Sequence, residues 1–92
     1  MKSPSIEEII SILREDSPLL EFLESLNARY YPSDNRIRYP NYEKTHTNAV
    51  IFQSYSRKYP NLFKIIEEVK DEKKHDSKNY LSKSLKDLIT LQ

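Results

Sequence analysis

Between Arg29 and Lys58 the chain sets Arg29, Arg36, Arg38, Lys44, Arg57 and Lys58 among Tyr31, Tyr39 and Tyr42. A guanidinium can fork onto two phosphate or carboxylate oxygens, and each tyrosine face can stack on an exposed base for about 1 to 3 kcal/mol. These nine residues are therefore the candidate binding segment, and the chemistry they suit is recognition of an anion. An acidic protein surface and a nucleic-acid phosphate backbone both fit. The competing arrangement is structural: tyrosines beside prolines anchor a loop over a small core, and the arginines pair with acidic residues near the N-terminus.

Charge is laid out in blocks that a formal net of +1 conceals. Residues 1–28 set two cations against six acids, 29–64 set seven cations against two acids, and 65–92 hold six of each. Such asymmetry marks either a surface for an anionic partner or two faces of one molecule that pair with each other. A pI near 7.9 is below that of a dedicated nucleic-acid domain.

Catalytic and metal chemistry finds few residues to use. Glu72 and His75 have the Glu-x-x-His spacing that puts two ligands on one helical face, but a dinuclear site needs a second such motif, and the sequence has one. His46 and His75 are the only histidines. Arg36, Arg38 and His46 with a tyrosine match the residue types of tyrosine-based strand transfer, which normally rests on a larger scaffold. No cysteine is present, so disulfides, thiolate metal sites and a cysteine nucleophile are excluded. No glycine is present either. Phosphate-cradling loops, dinucleotide-binding turns and the Gly-x-Ser-x-Gly elbow cannot be written without it. The expectation is a non-enzymatic protein with no cofactor and no metal.

The elements that position these residues are read from apolar spacing. One domain over 1–92 is expected, with a modest core. Ser5 and Glu8 have the capping-box pattern ahead of Ile9, Ile10 and Leu13, which predicts a helix over about 5–15. Ser17 is expected to cap a second helix with Pro18 at its first position and Leu19, Phe22, Leu23, Leu26 and Tyr30 on one face. Residues 31–46 have no helical period and two Tyr-Pro steps, so an irregular crossover is expected, with Arg36–Tyr39 able to pair briefly as a strand.

Thr45 or Thr47 can cap a third helix through Phe52, Tyr55 and Tyr59, with Pro60 kinking it or opening the next. Leu62, Phe63, Ile66 and Val69 read as a fourth helical face. A last helix follows Asp76 or Ser77 through Leu81, Leu85, Leu88, Ile89 and Leu91, whose stripe is either core or an interface with a second copy. The absence of glycine also tilts the expectation towards helices. The sequence thus predicts an all-α fold, a small bundle of four to five short helices.

No run of 18 apolar residues spans a membrane, and Met1-Lys2-Ser3-Pro4 leads into charged sequence without a signal-peptide core. An intracellular setting, cytoplasm or nucleus, is expected. The functional expectation is a small protein-interaction or regulatory module that binds another protein or itself. The alternative is a nucleic-acid-binding accessory protein using the basic, tyrosine-rich segment 29–58.

Overall fold

The computed structural model describes residues 3–40, 45–69 and 81–90. In chain order these form α1 (Ile6–Glu15), α2 (Ser17–Ser25), β1 (Arg29–Tyr31), β2 (Arg36–Pro40), α3 (His46–Lys58), α4 (Pro60–Phe63), β3 (Ile66–Val69), β4 (Lys83–Ser84) and α5 (Leu85–Ile89). The four strands make one mixed sheet in the order β3-β2-β1-β4. The all-α bundle predicted from the sequence is therefore wrong, and the fold is α plus β.

Three misreadings account for the difference, one of them in the expected last helix, where Lys83–Ser84 pair with β1 as β4 and the helix is capped by Ser84 and runs from Leu85 to Ile89. Tyr30 was expected on the face of the second helix, but α2 ends at Ser25 and Asn27 takes φ 60°. The Asn27 amide donates to the Glu24 carbonyl at 2.9 Å and the Ala28 amide to Leu23 at 3.0 Å, the paired bonds of a Schellman stop. Tyr30 then belongs to β1. In the second case, α4 is a single turn, and Ile66 opens a strand that runs parallel to β2. Short apolar runs rich in β-branched residues read alike as helix or strand.

The expected crossover over 31–46 is largely a hairpin. Residues 32–35 join β1 to β2, with Tyr31 opposite Arg36, Tyr30 opposite Ile37 and Arg29 opposite Arg38. Asn35 takes φ 59° in the turn. Both left-handed positions described are thus filled by asparagine, which tolerates them better than other non-glycine residues. Tyr42 and Lys44 lie outside the described residues, as do Glu72, His75 and the expected caps Asp76 and Ser77.

The starts of the first three helices follow the sequence with one exception. Ser5 caps α1 by accepting from the Glu8 amide at 3.2 Å, and Thr45 caps α3 through Asn48 at 3.1 Å. Asp16, not Ser17, caps α2, accepting from the Leu19 amide at 3.2 Å. Ser17 and Pro18 form the first helical turn instead. Pro60 opens α4, and Tyr59 closes α3.

The core lies on one face of the sheet. Tyr30, Ile37, Tyr39 and Ile66 point to it and pack with Ile9, Leu13, Leu19, Leu23, Leu62, Ile65, Leu85 and Leu88. Leu85 and Leu88 are completely buried, so this part of the C-terminal stripe is core. Burying each such side chain contributes about 1.5 to 3 kcal/mol. The short helix α5 is held at both ends by α1 and α2: the Lys86 amide donates to Glu24 at 3.1 Å, and Arg14 Nε donates to the Ile89 carbonyl at 2.9 Å.

Candidate functional site

Strand alternation sends every second residue to the sheet face opposite the core. That outer face collects Arg29 and Tyr31 from β1, Arg36, Arg38 and Pro40 from β2, and Glu67 and Val69 from β3. The register sets Ser84, Arg29, Arg38 and Glu67 in one row across all four strands. Four residues chosen from the sequence, Arg29, Tyr31, Arg36 and Arg38, are therefore brought together.

Each arginine of this face already has an internal partner. Arg38 forks onto Asp34 through both terminal nitrogens, reaches Glu67 at 3.5 Å and lies over the Tyr31 ring at 5.0 Å from its centroid. The hydrogen bond to Asp34 leads the causes that raise the Arg38 pKa, with burial acting against it. Arg36 Nε lies 3.7 Å from Glu67. Arg29 Nε donates to Ser82 Oγ at 2.7 Å. The arginines do not reach the acidic N-terminal helices, because the hairpin turn and the parallel neighbour strand supply carboxylates closer by.

Tyr31 and Tyr39, the candidate tyrosines among the described residues, are not laid out for stacking on bases. Tyr31 keeps 8% of its surface and is covered by the Arg38 guanidinium. Tyr39 points into the core, its ring centroid 6.0 Å from Phe52. Phe52 also meets Phe22 at 6.4 Å and Phe63 at 5.2 Å, edge to face, the geometry that aromatic quadrupoles favour. Arg57 and Lys58 stand apart from the sheet at the end of α3. Lys58 Nζ lies 3.4 Å from Asp16, and Arg57 has no ion-pair or hydrogen-bond partner among the described residues.

Sequence reasoning passed over Asp34, Glu67 and Ser82, which hold the sheet arginines. Asp34 had a local signal, four residues before Arg38 beside a turn. Glu67 had none, since only the parallel pairing of β2 with β3 brings it to Arg38. Among the described residues no group of three or more histidine or acidic side chains could hold a metal ion, and no helix is long and apolar enough to cross a membrane.

No family model, curated protein or solved structure matches the chain.

Proposed function

We propose that the chain is a small non-enzymatic interaction module that binds an acidic surface of another protein, or of a second copy, through the outer face of its sheet. One observation carries this reading: Arg38 is locked between Asp34, Glu67 and the Tyr31 ring. That leaves the adjacent Arg36, held by a single 3.7 Å contact, to exchange its partner. Arginine and tyrosine supply the strongest contacts of protein interfaces, and side chains fixed before binding lose less entropy on it. Asp34 and Glu67 offset much of the positive charge of this face, which suits a carboxylate partner better than a run of phosphates. Lack of cysteine supports an intracellular setting, in the cytoplasm or nucleus.

Fluorescence anisotropy with a labelled Glu-rich peptide tests the reading, alongside sedimentation of the protein alone. Arg36→Glu is expected to weaken peptide binding, or self-association, at least tenfold, about 1.4 kcal/mol, while melting within about 2 °C of the parent. Binding and association untouched by Arg36→Glu would sink it.

A further inference from the structure

We propose that α3 is a hinged strap that opens from the fold as one unit while the sheet and the core beneath it stay intact. Every other helix among the described residues buries at least one side chain, whereas none of the 13 residues of α3 is buried. Its hold on the core comes from Ile51, Phe52 and Tyr55, all of them half-buried. Segments with so little buried apolar surface open at a fraction of the free energy of global unfolding.

Topology lets the helix leave. Together α3 and α4 form the crossover from β2 to β3, yet these two strands pair directly, with Ile37 opposite Ile66 and Arg38 opposite Glu67. The Ile37 amide donates to the Ile65 carbonyl at 2.9 Å. No strand of the sheet pairs with α3, so its departure breaks no ladder bond. Its neighbour α4 stays behind, because Leu62 is completely buried.

The pivot lies at the C-terminal end of α3. Tyr59 leaves helical geometry at φ −127° and ψ 66°, and Pro60 has no amide hydrogen with which to continue the helix. Among the described residues, the side-chain polar bonds from 45–59 to the rest of the fold all end on Asp16: the Tyr59 phenol at 2.7 Å and Lys58 Nζ at 3.4 Å. Both ties sit beside Pro60, so the turns before them are held by apolar contact alone. Phe52 is the main anchor, with its ring 6.4 Å from Phe22, 6.0 Å from Tyr39 and 5.2 Å from Phe63. Opening takes the cover off these three rings, on the side of the sheet away from the arginines.

Native-state hydrogen exchange of the full chain, read by NMR, tests the strap. The amides of Ile51 to Tyr55 are expected to share one opening free energy and to be about a hundredfold less protected than the amide of Ile37. Ile9 is completely buried in α1, away from the strap. Ile9→Val, a mild core change, should therefore speed exchange at Ile37 about two- to tenfold and leave α3 unchanged. Phe52→Ala is expected to speed exchange in α3 at least tenfold, and circular dichroism checks that each variant is folded. Protection in α3 equal to that of Ile37, acceleration of both by Ile9→Val, or no response of α3 to Phe52→Ala would each overturn the proposal. So would protection that rises smoothly from the ends of α3 to its middle, the mark of ordinary fraying.

Discussion

The phenol of Tyr59 donates a 2.7 Å hydrogen bond to Asp16 Oδ2, joining the α1–α2 junction to the α3–α4 junction across 43 residues of chain. The other carboxylate oxygen of Asp16 caps α2 through the Leu19 amide. One side chain, 10% accessible, therefore completes a helix start and ties down a second corner of the fold.

Asp16→Ala removes both interactions at once, together with the exposed ion pair to Lys58. A lost cap costs about 1 kcal/mol and a lost hydrogen bond to a charged group about 1.5 to 3 kcal/mol, so urea denaturation should show a loss of about 2 to 4 kcal/mol. Tyr59→Phe removes one interaction only and is expected to cost less than half as much. Equal losses from the two variants would show that the cap contributes nothing.

Stability should form a plateau bounded by Asp16 on the acid side and by tyrosines on the alkaline side. Burial works against charge on Asp16, but hydrogen bonds from Tyr59, Leu19 and Lys58 outweigh it and hold its pKa below 3.8. The unfolded chain then takes up the proton first, so this stabilisation is complete above about pH 5 and is lost as pH falls through the folded value. Burial raises the pKa of Tyr30 and Tyr55, with Asp34 and Asp16 respectively adding to it, and the bond to Asp16 with burial raises Tyr59. Here the unfolded phenol loses its proton first, near pH 10, and stability falls as pH rises beyond that. Denaturation midpoints measured from pH 2 to 11 should show both limbs, and Asp16→Asn should shallow the acid one and also part of the alkaline one, since Asp16 helps to raise Tyr55 and Tyr59.

The two left-handed asparagines should respond differently to glycine. Asn27 stands at the position after the α2 cap where glycine is ordinarily found, so Asn27→Gly is expected to change stability by less than about 1 kcal/mol and Asn27→Ala to cost more. Asn35 also accepts from the Tyr30 phenol at 2.6 Å and donates to the Pro4 carbonyl at 2.8 Å. Asn35→Gly keeps the backbone shape yet loses both bonds, for about 2 kcal/mol. Thermal melting of the three variants checks the contrast.

The C-terminal stripe is expected to divide between core and surface. Leu88 is completely buried whereas Leu81 keeps 46% of its surface. Leu88→Ala should cost about 2 to 5 kcal/mol and Leu81→Ala under about 0.5 kcal/mol. A loss at Leu81 that grows with protein concentration would reveal a second copy seated there.

Local rules in the sequence determined α1 and most of the core and narrowed the start of α3 to Thr45 or Thr47 and the role of Pro60 to a kink or a new helix, because capping, proline and apolar spacing act within a few residues. The absence of glycine was wrongly read as tilting the fold to helix, since a four-residue hairpin connection needs only Asn35 in the left-handed region. The grouping of Arg29, Tyr31, Arg36 and Arg38 was half legible: their basic, aromatic character shows in the chain, but their common face follows from strand alternation. Pairing of β2 with β3 was decided by tertiary structure alone, as it joins Arg38 to Glu67 across two intervening helices. That pairing turned an apparent phosphate grip into a self-compensated ladder, because an ion pair forms with whichever carboxylate the fold brings within reach, and sequence distance carries no trace of it.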